Sequence, residues 1–228
     1  MRDTIVYVLA AVAAILFVWN LQVILLGLPD ENDQGAIYRI IFFHLPAFFT
    51  AAVCYLLSAA ASVAYLVKRK PVYDSFAASV TEVGLPFAAV NLITGMIWAR
   101  IIWGIWWTWD ARLTWALICW IIYFGYLMLR RAIPDPAERA KNSAVLSIMA
   151  FATVLITYKA IDWWRTQHPG AVLSFRTGGG SMDPRMEYML YMNWIPMLLL
   201  ATVFVVIRMR QERAQREIDS MRRQVHAF

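Results

Sequence analysis

The sequence predicts an all-α, polytopic membrane protein with six transmembrane helices and both termini in the cytoplasm. Three observations predict it. Of 228 residues, 61% are apolar and only 16% charged, where a soluble domain carries roughly 25% charged. A water-soluble fold of this size cannot hide that much apolar surface, because small domains leave much of their chain exposed. Six apolar runs meet or approach the length of about 20 residues that a helix needs to cross a hydrocarbon core. Lys and Arg fall in short blocks between those runs, so the net charge of +6 is not a nucleic-acid-binding stripe.

The runs follow one another as Thr4 to Leu28, Ile40 to Val67, Val83 to Trp103, Leu113 to Leu129, Asn142 to Ile161 and Met186 to Ile207. Each is read as a helix, since an unpaired backbone amide in lipid costs several kcal/mol. Pro86 and Pro196 interrupt two of them and are expected to kink them. The first run is too long for a signal-peptide apolar region and has no small-residue cleavage site after it, so it is expected to be retained. Fourteen Lys and Arg lie on one side of the runs and six on the other. The richer side is cytoplasmic by the positive-inside rule. Three loops then lie outside: Pro29 to Arg39, Arg100 to Arg112 and Asp162 to Arg185. The chain reads as one six-helix membrane domain over residues 1–228, with a Trp-rich outer loop at about 100–112. Its basic cytoplasmic tail, 208–228, reads as a solvated or headgroup-contacting end more readily than as a continued helix. Gly178-Gly179-Gly180 is expected to be a hinge in the last outer loop.

Chemistry is concentrated on the outer face. Seven of the eleven tryptophans lie between Trp98 and Trp120, and Trp103 to Thr114 reads WGIWWTWDARLT. An interfacial aromatic belt explains one or two indoles per helix end, such as Trp19 or Trp194. It does not explain Trp103, Trp106, Trp107 and Trp109 in one loop, followed by Asp110 and Arg112. Indoles offer flat stacking surfaces and N–H donors, which suit a large planar aromatic ligand. Arg39, Arg100, Arg112 and Arg165 are candidates to pair with that ligand's carboxylates, and Trp163 and Trp164 are candidates for secondary aromatic contacts. Asp110 reads as an orienting group for an indole or for Arg112. The loop supplies no nucleophile, and no intrinsic catalytic centre is expected.

Cys54 and Cys119 stand alone in apolar runs, with neither zinc spacing nor a haem-attachment motif. His226 is in the basic tail. The other two histidines, His44 in YRIIFFHLP and His168 in DWWRTQHPG, are both expected outside at similar depth. Ionisable residues at membrane depth tend to mark function, and neutral imidazoles on either side of a porphyrin are the usual axial ligands of haem iron. The metal expected is iron held within haem, with His44 and His168 its only protein ligands. The spacing of 124 residues does not show that the two converge. Lys159, at an outer helix end, has no evident role.

WGIWWTWDARLT resembles the tryptophan-rich WWD motif of the haem-handling proteins of cytochrome c maturation. Together with YRIIFFHLP, DWWRTQHPG, the size and the six runs, it resembles the CcmC, or haem exporter protein C, family over roughly Gln34 to Ile207. The resemblance implies that His44 and His168 ligate haem iron and that Trp103 to Asp110 form the surface on which haem lies. It implies haem b as bound cargo and presentation of that haem to the periplasmic chaperone CcmE in the bacterial inner membrane. It also implies an ABC-type complex with CcmA, CcmB and CcmD, in which CcmA is the ATPase. This chain has no phosphate-binding loop of its own.

Two rivals are weighed on residues. A subunit translocating haem across the bilayer needs polar groups at mid-depth, where these runs read as nearly all aliphatic apart from Asn91, Thr94 and Ser58. A quinone-type cytochrome b needs histidine pairs within the bilayer, and only His44 could serve.

Overall fold

A computed structural model describes residues 3–170 and 182–225, with side chains left out at 219 and 222–225; the glycine hinge expected at Gly178-Gly179-Gly180 and His226 lie outside the described residues. Six helices follow in order: α1 (Asp3–Gln22), α2 (Ile41–Lys68), α3 (Pro71–Trp103), α4 (Ala111–Ala132), α5 (Pro136–Trp163) and α6 (Pro184–Val225). All six are long and apolar enough to cross a membrane, and no strand occurs among the described residues. A π-helical turn, Val23–Gly27, closes α1, and a 3-10 turn, Ala36–Ile40, leads into α2.

Helix ends follow local chemistry. α2 stops where Arg69 takes a left-handed conformation (φ 54°), its N–H donating to the Tyr65 carbonyl at 2.7 Å. Pro71 then occupies the first turn of α3, where a missing N–H costs nothing. Asp110 caps α4 and Asp135 caps α5, each carboxylate accepting two backbone N–H groups of the following turn. Gly104, with φ 76°, ends α3.

α2 is the central helix, packed against α3, α5 and α6, while α1 lies on α6 and α4 pairs with α5. The α2–α3 approach is close. A Cβ on Gly84 would stand 2.9 Å from the Cys54 Cβ and 3.1 Å from Tyr55 Cε1. On the other flank Asn20 of α1 donates to the Met192 carbonyl at 2.8 Å, and Asn193 of α6 donates to the Phe42 carbonyl at 2.7 Å.

Three expectations are corrected. The interior at mid-depth is not nearly all aliphatic. Ser58 bonds both Thr81 (2.7 Å) and Ser147 (2.9 Å), and Ser62, Ser79, Ser143, Thr153 and Thr157 are buried around them. Single hydroxyl residues scattered among Ala, Val and Leu vanish in an averaged hydropathy. The helices turn them towards one another, away from lipid. The hydroxyls of Tyr55, Tyr123, Ser62 and Ser143 are buried without a partner among the described residues, each at a cost of about 1–3 kcal/mol if left dry.

The basic tail is helical: α6 continues to Val225, about 63 Å in all at 1.5 Å per residue. Its arginines find acids on other helices. Arg208 pairs with Glu82 of α3, Arg210 with Asp3 of α1 (2.6 Å), and Arg216 with Asp74 of α3 (3.0 Å). Asp74 also takes both guanidinium nitrogens of Arg130, at 2.5 and 3.1 Å. The third correction concerns helix starts: α3 and α5 each begin well before the apolar run, each with proline in its first turn and, in α5, an aspartate cap before it.

Candidate functional site

At the end of the bundle that carries the Trp-rich loop, the molecule holds a cleft of about 940 Å³ of empty space, its mouth included. Its walls come from α2, α3, α4, α5 and the loop after α5. His44, Trp98, Trp103, Trp107, Arg112 and His168 all line it, so the two histidines and the central indoles do meet.

His44 sits in the first turn of α2 facing α3. Its ring needs the space beside Gly95, where a Cβ would stand 3.0 Å from His44 Cε1. One face of α3 then holds the ring. The Thr94 hydroxyl donates to the Val90 carbonyl (2.6 Å), which leaves its oxygen to accept from His44 Nδ1 (3.0 Å). That arrangement puts the proton on Nδ1 and a lone pair on Nε2. The Asn91 amide donates to the His44 carbonyl (3.0 Å) and reaches Nε2 at 3.2 Å. Trp98 meets the imidazole edge-on at 5.9 Å and donates its indole N–H to Gln34 at 2.7 Å.

His168 is built by a tight local turn. Its backbone N–H donates to the Thr166 hydroxyl at 3.0 Å, and its Nδ1 lies 2.8 Å from the Pro169 carbonyl, so Nδ1 carries the proton. Burial, reinforced by the nearby Arg112 charge, pushes its pKa down to about 4. At neutral pH it is therefore a neutral imidazole with an Nε2 lone pair, the form that binds metals.

Asp110 is the joint between the two loops. Besides capping α4, its second carboxylate oxygen accepts the Gln167 N–H at 2.8 Å. Burial opposes its ionisation, but hydrogen bonds from the Thr166 hydroxyl and from the Gln167, Arg112 and Leu113 N–H groups hold its pKa below the usual range. Of the two roles the sequence offers, an indole or Arg112, it takes the second, through the Arg112 backbone N–H, and its bond to Gln167 ties the loop carrying His168 to the Trp-rich loop.

Arg112 is half-buried in the cleft wall. Its guanidinium donates to the Thr157 (3.1 Å) and Tyr158 (3.4 Å) carbonyls and lies 5.6 Å from the Phe48 ring. Among the described residues no carboxylate is within ion-pair distance of it. The other candidate arginines lie elsewhere. Arg39 is taken by Asp30 and by the Ile24 and Leu28 carbonyls, Arg100 closes the end of α3 on the Gly104 carbonyl, and Arg165 is exposed outside the cleft.

The indoles divide likewise. Trp103 and Trp107 line the cleft, and the Trp107 N–H is buried without a partner among the described residues. Trp106 and Trp109 point outward, 55% and 78% exposed, with Trp109 edge-on to Trp107 at 5.9 Å. Trp163 and Trp164 are also exposed, and Trp164 stacks on Trp115. Lys159 pairs with Asp162 at 2.8 Å. Sequence reasoning missed Trp98 and Gly95 as site residues and took Asn91 and Thr94 only as polar exceptions. Their spacing along α3, at 91, 94–95 and 98, is the signal of one helix face.

Comparison with known proteins agrees with this architecture. The profile of the family described as Heme exporter protein C matches residues 1–224. The chain is 34% identical over 201 residues to a Heme exporter protein C of Bradyrhizobium diazoefficiens, covering 88% of this chain and 73% of that one. It is 34% identical over 194 residues to the Paracoccus denitrificans protein of that name, covering 85% and 80%. With that of Escherichia coli K12 the identity is 31% over 182 residues, covering 80% and 73%. With a profile match along almost its whole length, the chain is a multi-pass membrane protein belonging to the Heme exporter protein C family, which handles haem for cytochrome c maturation.

Proposed function

We propose that this protein holds haem b as cargo in the cleft, with His44 and His168 as the two axial ligands of its iron, and presents it to the periplasmic chaperone CcmE. In this reading the Trp-rich end faces the periplasm and the arginine-rich end of α6 the cytoplasm of a bacterium, across its inner membrane. CcmA, CcmB and CcmD complete an ABC-type complex in which CcmA hydrolyses ATP. The observation that carries the reading is the meeting, on one indole-walled cleft, of two imidazoles from positions 44 and 168.

The donor set fits haem. Each imidazole is protonated on Nδ1 by its hydrogen bonding, which directs Nε2 outward as the ligating atom. With iron on Nε2 of His44, the Asn91 amide would give up its contact with that nitrogen and could keep the His44 carbonyl. Trp98, Trp103 and Trp107 supply the flat apolar walls. Arg112, a half-buried cation with no carboxylate at ion-pair distance among the described residues, suits a propionate. Trp106, Trp109, Trp163 and Trp164, on the outer rim, suit the chaperone or lipid headgroups better than the porphyrin face. Fixing haem in one orientation so that one edge faces the chaperone is a positional contribution to rate, while the haem supplies the reactive chemistry.

Translocation of haem by this chain ranks second. Its core does carry hydroxyls, but the stacked Tyr55 and Tyr123 rings, 3.5 Å between centroids, close the space beneath the cleft.

The test is a visible absorption spectrum of the purified protein beside His44→Ala and His168→Ala. A Soret band with six-coordinate features, weakened or shifted in both variants, supports the reading. An unchanged band and haem content in a variant lacking both histidines would sink it.

A further inference from the structure

Beneath the cleft, polar side chains follow one another through the core of α2–α5 to the arginine-rich end. Thr157 lines both the cleft and a second cavity of about 340 Å³ of empty space below it, whose floor includes Tyr55 and Cys119. The Thr153 hydroxyl stands beside the Cys119 thiol. Further along come Ser58, Thr81 and Ser147, bonded to one another through Ser58. Thr81 borders Tyr126, whose ring lies 5.8 Å from the guanidinium of Arg130, the partner of Asp74.

The chain of groups is interrupted between Cys119 and Ser58, where Tyr55 and Tyr123 stack with their planes 2° apart. Both phenol hydroxyls are buried there without a partner among the described residues, on residues no more than 2% exposed. Ser62 and Ser143, nearer Asp74, are in the same state. Close helix packing accounts for small serines at an interface. It does not account for phenols, since phenylalanine would pack as well without an oxygen to satisfy. A ligand for these atoms must be small and must both donate and accept.

We infer that bound water molecules occupy these gaps and complete a hydrogen-bonded file from the cleft to the Asp74–Arg130 pair. Buried waters take such positions, bridging polar groups that the protein leaves unmet. The file gives the cleft a path along which protons redistribute, and the Tyr55–Tyr123 stack bars that path to larger solutes. The inference stands whether or not the cleft carries haem.

Hydroxyl-radical footprinting of the full chain in lipid nanodiscs, read by mass spectrometry, tests it, because bound water is a local source of radicals. Phe42 is the dry control, equally buried but set in an apolar cluster of α1, α2 and α6. With intrinsic reactivity corrected, Tyr55 and Tyr123 are expected to label about tenfold faster than Phe42, as bound water requires. Ser147→Val, which fills the middle of the file, is expected to slow labelling at Tyr123, and Ser147→Ala serves if valine prevents folding. Labelling of both tyrosines at the rate of Phe42, or labelling indifferent to the Ser147 variant that folds, overturns the inference.

Discussion

Arg112 shows how one residue can declare a site. A guanidinium in a half-buried wall, bonded among the described residues to two carbonyls, is costly unless an anion arrives. Arg112→Gln is expected to weaken haem retention roughly ten- to a hundredfold, the equivalent of a charge-assisted hydrogen bond of about 1.5–3 kcal/mol, measured by haem titration of the purified protein. Gly95 makes the complementary case by having no side chain. Gly95→Val is expected to displace the His44 ring and shift the Soret band, while the helix, in which valine is a better former than glycine, stays folded by circular dichroism. At this scale the sequence is legible where chemistry is rare. Two histidines outside the tail and a crowd of indoles stand out in any apolar chain. Asn91, Thr94 and Gly95 do not, because nothing in their type distinguishes a residue that holds an imidazole from one that merely packs. Arg112 could not be separated from Arg39, Arg100 and Arg165 either, since only the fold decides which cation finds a carboxylate.

At the scale of elements, the Trp-rich loop and the loop after α5 behave as one unit because Asp110 grips both. Asp110→Ala removes the α4 cap, worth about 0.5–2 kcal/mol, and frees Gln167 at the same time. The expected result is a lower melting temperature together with faster proteolytic cleavage near Arg165 and loss of haem. Asp110→Asn, which keeps one accepting oxygen, is expected to lie between. Spans were readable from apolar length, but their polar extensions were not. α3 begins at Pro71 and α5 at Pro136, where capping and proline start a helix that hydropathy does not see. The tail of α6 is the larger case. Arg208, Arg210 and Arg216 read as solvated charge until the fold brings Glu82, Asp3 and Asp74 opposite them.

For the whole molecule, the two ends are held by different forces. One end is a cleft between loops; the other is locked by Asp74, which takes Arg130 from α4 and Arg216 from α6. Asp74→Asn leaves a buried arginine without its anion and is expected to cost about 3–5 kcal/mol, seen as a drop in thermal stability in detergent. The Soret band of the folded fraction is expected to stay unchanged, because the lock is remote from the cleft. Convergence of positions 44 and 168, and the inward turning of scattered serines and threonines, are properties of packing. No reading of single runs could supply them.

The two-residue turn at Arg69 and Lys70 has a consequence for how this chain can change. It fixes where α3 starts against α2, and Asn91, Thr94, Gly95 and Trp98 reach His44 only by counting turns from that point. One residue inserted between Pro71 and Asn91 rotates everything beyond it by about 100° at 3.6 residues per turn. The grip on the imidazole would then face lipid. The hairpin works as a ruler, forgiving in its letters and strict in its length.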